Sequence, residues 1–504
     1  MASSVLTSSI MGLEALPVDV EADISPGLGA FFVVGLADAA VQEARERVRS
    51  AMKHAGLEFP RTRVTVNLAP ADLRKTGTCF DLPIAITILV ASGNLPTVES
   101  RTRLFIGELA LDGRLRSVAG VLSSAMLAAK LGVQELIVPK GNADEAALVP
   151  GIDVRPAETL REVVDHLMGA QELATFPPHP IHIPERISGM NMASIRGQEQ
   201  AKRAMEIAAA GGHNLLLQGP PGSGKTLLAR AFPSILPHMT VNEILEVTRV
   251  YSVAGELPPC GYVAERPFRS PHHSASGVAL VGGGSIPRPG EVSLAHRGVL
   301  FLDEFPEFSR NVLENLRQPL EDGFVTVSRA TGSVLFPARF LLVAAMNPCP
   351  CGYATDPDRA CSCTALQIER YAKRLSGPLL DRIDMIVNVP KVPTQKLSDL
   401  EDGELSETVQ ARVQAARDRQ TLRQATLGVG TNAELTSEHL RRHLEIEPEA
   451  RLLLQRATDR FRLSARAYFR ILRVSRTIAD LEQVEIVTQA HVGEALHYRQ
   501  MLEI

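Results

Sequence analysis

Residues 219–226 read GPPGSGKT, set between an apolar run at 214–218 (NLLLQ) and a helix-compatible run at 227–236. A strand, a glycine-rich turn and a helix in that order make a phosphate cradle, because the turn's amides and the helix N-terminus point at an anion. Gly219, Gly222 and Gly224 let the backbone wrap closely, with Pro220, Pro221 and Ser223 completing the loop. Lys225 is the residue type that reaches β and γ oxygens, and Thr226 offers a hydroxyl to Mg²⁺. The expected ligand is a nucleoside triphosphate.

Further along, GVLFLDEF runs four apolar residues, Val299 to Leu302, into Asp303 and Glu304. This reads as a buried parallel strand ending in a Walker B pair. Asp303 is placed to hold Mg²⁺, and Glu304 to orient the attacking water, so the pattern implies hydrolysis as well as binding.

The chain has 504 residues, 45% of them hydrophobic, enough for two or three domains with substantial cores. Its formal charge of -4 hides an asymmetry: ten arginines lie between 441 and 476, where a basic face is able to meet phosphates. No opening segment has the basic-then-apolar pattern of a signal peptide and no run approaches a membrane span. The expected setting is the cytoplasm, with no membrane partner. Of the six cysteines, Cys349, Cys351, Cys361 and Cys363 form C-x-C-x9-C-x-C, which either closes a tetrahedral Zn²⁺ site or stands as reduced thiols in a loop. Cys79 and Cys260 read as small packed residues.

Organisation follows composition. Residues 1–170 alternate strand-like runs (VDVEADI, FFVVGL, VTVNLAP, LFIGELAL, ELIVP) with helical stretches at 39–55 and 122–131, an α/β domain; 82–91 is continuously apolar, a helix or a strand. A proline-rich linker spans 171–190. Residues 191–390 interleave NLLLQ, GVLFLDE, FLLVAAMN and DMIVNVP with helices, as a doubly wound parallel sheet requires. Residues 391–504 are expected to be helical, with long helices at 407–424 and 449–482.

Stretches such as VNLAPADLRKTGTCFDLPIAI, FRSPHHSAS, RPGEVSLAHRGVLFLDEFPEF, AAMNPCPCGY, SGPLLDRID and LRVSRTIADL resemble the ComM/YifB family of magnesium-chelatase-like AAA+ ATPases, almost end to end. The resemblance implies a Lon-protease-like N-terminal α/β domain, an AAA+ core that takes ATP, and a C-terminal helical lid. It also implies roles that spacing does not supply. Asn347 matches sensor 1, Arg382 in LLDRID the arginine finger, and Arg466 in LSARAYFR sensor 2, with Arg470 and Arg473 as alternatives. The residue-level readings stay open beside these: Asn347 capping the turn into Pro348, Arg382 paired with Asp381 or Asp384, and Arg462, Arg466, Arg470, Arg473 and Arg476 sharing one solvated helix face.

The family forms hexamers, and the resemblance implies a ring in which Arg382 serves the neighbouring subunit's nucleotide. The segment 323–337 reads as a β-hairpin with Arg329 near its tip. Arg329, with His272 and His273 of FRSPHHSAS, is the candidate DNA contact. Lon-like proteolysis is not expected, because Cys79 stands near the serine position and GVLSSA at 120–125 carries no lysine base. The implied activity is an ATP-driven DNA helicase that migrates branched DNA in homologous recombination and natural transformation. Its partners would be its own copies, single-stranded and branched DNA, and recombination proteins. The alternatives are the ATPase subunit of a magnesium-chelatase-like metal-insertion complex, against which the Lon-like domain and the cysteine cluster argue, and a nucleotide-gated scaffold, against which Asp303 and Glu304 argue.

Overall fold

The computed structural model describes residues 3–98, 102–184, 189–284, 287–329, 332–392 and 403–499. Its N-terminal part is built on a seven-stranded mixed sheet of β1 (Ser3–Met11), β2 (Glu14–Ser25), β3 (Ala30–Val34), β4 (Arg63–Ala69), β5 (Arg103–Phe105), β8 (Glu135–Pro139) and β9 (Asp153–Ala157), in the order β3-β4-β2-β1-β5-β8-β9. A small ribbon of β6 (Glu108–Leu109) and β7 (Leu115–Arg116) lies apart. Alternation decides burial: Val64, Val66 and Leu68 of β4 point inward while their neighbours do not. Helix Ala39–His54 starts where Asp38 accepts the Val41 amide (2.9 Å), and it buries Val41, Ala44, Val48, Ala51 and Met52, one stripe at helical spacing. The ambiguous apolar run is a helix, Asp81–Ala91, buried almost all round.

Two strands of the seven-stranded sheet escaped the sequence reading. β1 lies in mid-sheet yet reads SSVLTSSIM, without the apolar alternation that marks a strand; its Thr7, Ser8 and Ser9 are buried, and Ser8 donates to Ser124 Oγ (2.8 Å). β9 contains Pro156 and sits at the sheet edge, where a missing amide is tolerated.

The second sheet is wholly parallel. It comprises β10 (Leu215–Gln218), β11 (Phe268–Arg269), β14 (Val299–Leu302), β17 (Leu341–Met346) and β18 (Met385–Asn388), in the order β11-β14-β17-β10-β18. Two ribbons project from it: β12 (Gly282–Gly283) with β13 (Arg288–Pro289), and β15 (Phe324–Arg329) with β16 (Gly332–Pro337). Helices Ser406–Gln424, Pro448–Arg460, Ala465–Leu481 and Gln489–His497 close over one side, sharing a core with helix Glu199–Gly211. The expected single helix at 449–482 is in fact two. Residues 461–464 break it, with Arg462 in the left-handed region (φ 49°) and Ser464 capping the second helix. Arg462 therefore does not share a face with the later arginines, and that face is not solvated, since Arg470 and Arg476 are buried.

Residues 171–184 have no helix or strand but are tied down: Phe176 donates to the Val154 carbonyl (2.8 Å), and His182 N–H to Tyr262 Oη (2.9 Å). Helices and loops flanking the two sheets also pack against each other. Leu122 and Leu148 pack with Met239, Ile244, Val247 and Tyr262, while the buried Glu145 accepts from Leu122 N–H (2.7 Å) and from Ser252 Oγ.

Arg47 grips Asp81 through two bonds (2.6 and 3.0 Å), and Asp81 also takes the Leu109 amide. Burial pushes the Asp81 carboxyl up to about 6, although Arg47 and that amide pull the other way. Removing Arg47 would strand a carboxylate in the core, at a cost of about 3 kcal/mol. Arg47→Ala is therefore expected to speed amide exchange in helix Asp81–Ala91. Because a raised carboxyl pKa favours the fold at low pH and loses that benefit as pH climbs, the defect should shrink below pH 6. Exchange measured at two pH values, corrected for intrinsic rates, checks both points.

Candidate nucleotide site

β10 delivers the phosphate loop from its carboxyl end, between β17 and β18, and helix Lys225–Ala231 leaves it. A Cβ on Gly219 would lie 2.2 Å from the Val389 carbonyl, so only glycine permits that approach to the chain leaving β18. Gly222 and Gly224 are left-handed (φ 76° and 95°). Lys225 Nζ is buried and donates to the carbonyls of Gly219 (2.7 Å) and Pro220 (2.9 Å) and to Asn347 Oδ1 (3.3 Å). Burial brings its pKa down to about 8, against the opposing pull of Asp303. The buried Ser223 hydroxyl has no hydrogen-bond partner among the described residues. An ammonium held by neutral oxygens, beside a spare hydroxyl and a helix N-terminus, fits a polyphosphate.

β14 and β17 end beside this loop. Thr226 Oγ1 donates to Asp303 Oδ2 (2.8 Å), so the two Mg²⁺ candidates are already adjacent, an oxygen pair of the kind that binds this ion. Asp303 Oδ1 accepts the Glu304 amide (2.9 Å). Glu304 adopts the left-handed region (φ 51°), a strained conformation for a side chain of its size, and its carboxylate is half exposed. Asn347, directly after β17, touches Lys225. The loop, Asp303, Glu304 and Asn347 thus converge at one end of the sheet.

The histidines of FRSPHHSAS lie nearer the chemistry than the sequence suggested. His273 Nδ1 is 3.2 Å from Glu304 Oε2, and its ring stands edge-on to Phe308 and against His272. His272 bonds Ser274 Oγ (2.8 Å). Only the fold makes the His273–Glu304 contact visible, since 30 residues separate the two in the chain.

Arg382 and Arg466 are not brought to the phosphate loop. Both line a cavity of about 820 Å³ whose other walls include Asn214, Gly298, Leu341 and Asp384, the residues at the amino ends of the parallel strands. A strand's length, ~13–20 Å, separates that cavity from Lys225. Arg382 pairs with neither neighbouring acid. It contacts Glu321 and the Pro378 carbonyl, while Asp384 takes Arg470 (3.2 Å) and Asp381 takes Arg499 (3.6 Å). Burial works to raise the Asp384 pKa, yet His213, Arg470 and Arg473 outweigh it and hold it low. Arg466 is exposed on the cavity wall. Arg329 ends β15 opposite Gly332, and its side chain lies outside the described atoms.

The four clustered cysteines are brought together, all four sulfurs within 4.8 Å of one another. Cys79, by contrast, is half-buried, with its thiol pushed up to about 12, mainly by desolvation and then by Asp81.

Three family profiles match in chain order: "Subunit ChlI of Mg-chelatase" over residues 20–142, "Magnesium chelatase, subunit ChlI" over 191–397, and its C-terminal profile over 403–499. Competence protein ComM of Haemophilus influenzae is 47% identical over 99% of this chain and 98% of its own length. YifB of Escherichia coli is 46% identical over 99% and 97%. This chain belongs to the ComM/YifB family of magnesium-chelatase-like AAA+ ATPases. The 67 kDa magnesium-chelatase subunit of Chlorobaculum parvum is similar over only 31% of the chain, at 30% identity.

The Lys225 environment makes a pH prediction for this AAA+ core. The free site holds the amine with a pKa near 8, and a bound triphosphate would raise it. Above that pH the complex then carries more protons than the free chain, so binding should take up a proton and weaken as pH rises. Calorimetry of ATP binding in buffers of differing ionisation heat, above and below pH 8, reads this uptake directly. An uptake of zero at pH 9 would refute the assignment.

Proposed function

We propose that this protein is an ATP-hydrolysing ring motor, a homohexamer, that migrates branched DNA in homologous recombination and natural transformation. One observation carries the ring. The cations expected to complete the transition-state clamp, Arg382 and Arg466, stand at the opposite end of the sheet from their own phosphate loop. A second copy, docked with its loop against this cavity, would receive them; a lone chain would not. The DNA task rests on the end-to-end similarity to a protein named for competence, and the short match to a chelatase subunit favours it over metal insertion.

In this reading Lys225 and the loop amides bind the triphosphate, and Thr226 and Asp303 would hold Mg²⁺, which would supply positive charge against the phosphates. Glu304 orients the water and accepts its proton. Asn347 positions that water from the end of β17, and His273 restrains Glu304 between turnovers. His272 and the β15–β16 ribbon bearing Arg329 are the proposed contacts to DNA; the four cysteines are proposed to hold Zn²⁺. The N-terminal domain is read as Lon-like but not proteolytic, because a thiol with its pKa near 12 supplies almost no thiolate at neutral pH.

Mixing tests the shared site. Lys225→Ala and Arg382→Ala should each lower DNA-stimulated ATP turnover by about 10³. Combined, they should recover part of it, because the first still offers Arg382 and the second still offers an intact loop. A mixture as inert as its components would refute the trans arrangement. Strand exchange on a synthetic branched DNA in the same reaction tests the motor; turnover indifferent to DNA would refute that half.

A further inference from the structure

The cysteine cluster sits where it can do more than stiffen a loop. In a tetrahedral zinc tetrathiolate with Zn–S near 2.3 Å, sulfur–sulfur edges are about 3.8 Å. Here Cys349 lies 3.7 Å from Cys361, Cys351 lies 3.6 Å from Cys361, and Cys349 lies 3.3 Å from Cys351. Those separations are far beyond a disulfide of about 2.05 Å. Backbone amides add to the pattern: Cys363 N–H meets Cys361 Sγ (3.4 Å), and Cys351 sulfur faces the amides of Tyr353 and Ser362.

The loop that carries these sulfurs begins at Asn347 and leans on the phosphate loop. A Cβ on Gly352 would fall 2.6 Å from Pro221 Cγ and 2.7 Å from its Cδ, so the loop backbone packs directly against Pro221. Gly352 is also left-handed (φ 87°) and donates to the Cys349 carbonyl (2.9 Å), closing a tight turn between the two cysteine pairs. The far side of the loop is tied across the site. Asp358 pairs with Lys391 (2.8 Å), just beyond β18, while Arg359 bonds Tyr353 Oη (2.7 Å) and covers its ring. The loop thus abuts the phosphate loop at Pro221 and is anchored to the segment leaving β18, whose Val389 carbonyl meets Gly219.

We propose that Cys349, Cys351, Cys361 and Cys363 hold a zinc ion and that this zinc-pinned loop is a wall of the nucleotide site, fixing Asn347 and Pro221 so that metal occupancy sets nucleotide affinity. All four ligands lie within 17 residues of Asn347, on one connected loop. Zinc closes that loop and turns a flexible segment into a rigid support. The proposal reaches beyond ATP turnover and does not depend on the DNA reading, because each readout below is taken without DNA.

The full-length chain, purified without added metal, is analysed for zinc by mass spectrometry, and its cobalt-reconstituted form for tetrathiolate ligand-field bands. About one zinc per chain and those bands are expected, both lost in Cys361→Ser/Cys363→Ser. Fluorescent-nucleotide titration of the same samples should show affinity weakened on the order of tenfold in the metal-free variant. Gly352→Ala is the second arm, independent of any misfolding of the cysteine variant. It removes no sulfur ligand, so about one zinc per chain should still bind, while the strained left-handed turn and the added methyl against Pro221 push the loop off the phosphate loop and weaken nucleotide affinity, again on the order of tenfold. Absence of zinc and of the cobalt bands in the unmodified chain would overturn the metal site. Wild-type nucleotide affinity in Gly352→Ala would overturn its role as a wall of the nucleotide site.

Discussion

All five strands of the nucleotide-binding sheet run the same way, and this constraint sorts the chemistry. A parallel sheet has one end where strands finish and another where they begin, and loops at the two ends cannot reach one another across the strands. Gly219, Asp303 and Asn347 follow the ends of β10, β14 and β17; Asn214 and Gly298 precede the beginnings of β10 and β14, and Asp384 that of β18. The anion-binding and water-orienting groups therefore gather at one end and the arginines at the other. A chain that keeps its cations a strand's length from its own phosphates is built to meet something else with them.

The two ends are joined by a chain of hydrogen bonds at the strand roots. Asn214 Oδ1 accepts the Leu342 amide (2.9 Å) at the start of β17, and its Nδ2 donates to the Arg382 carbonyl (2.9 Å). Its own amide donates to Asp384 Oδ2 (3.0 Å). One side chain thus joins the root of the strand that carries the phosphate loop, the root of the strand that carries Asn347, and the backbone of Arg382. The contact of Arg382 with Glu321 extends this to helix Arg317–Asp322, which leads through Gly323 into the β15–β16 ribbon. The N-terminal domain touches the same ribbon, since a Cβ on Gly12 would lie 2.3 Å from Val334 Cγ1. Rigid elements with shared side-chain contacts are the physical requirement for coupling nucleotide state to a distant surface.

Much of this was legible in the sequence, for a local reason. GPPGSGKT, VLFLDE and LLVAAMN are continuous segments whose period and flanks declare strand, turn and helix within a dozen residues. The four sulfurs were legible too, because spacing alone brings C-x-C pairs close. What stayed hidden depends on partners far along the chain. β1 passed unread because serines fill a buried strand whose hydroxyls find Ser124 only in the fold. β11 is two residues long, and the β12–β13 ribbon lies in a glycine cluster that reads as a turn. The helix break at 461–464 falls in a charged run whose spacing looks helical until Arg462 turns left-handed. Lys225 losing its proton near pH 8 is a property of burial, which no motif states.

The arginine-lined cavity shows how the two kinds of information combine. Sequence counted arginines and suggested a solvated face; the fold buries Arg470, half-buries Arg473, and leaves Arg470 Nη1 and Arg473 Nε without hydrogen-bond partners among the described residues. Arg417, beside them, is half-buried, desolvation lowers its pKa to about 10, and among the described residues its acceptors are the Ala209 and Ala210 carbonyls. Around the cavity stand eight arginines, Arg266, Arg297, Arg339, Arg382, Arg417, Arg466, Arg470 and Arg473, against the five acids Glu243, Glu321, Asp322, Asp384 and Glu434. Buried cationic donors without acceptors cost free energy in an isolated chain, and folded proteins tolerate few of them. The cost is recovered when an anion arrives. In the proposed ring, the neighbour's triphosphate would be that anion, so the same contact that would complete hydrolysis would also relieve these arginines. Assembly, nucleotide binding and local stability at this cavity would then be one linked equilibrium, in which ATP favours the ring because the ring is where these guanidinium groups find their partner.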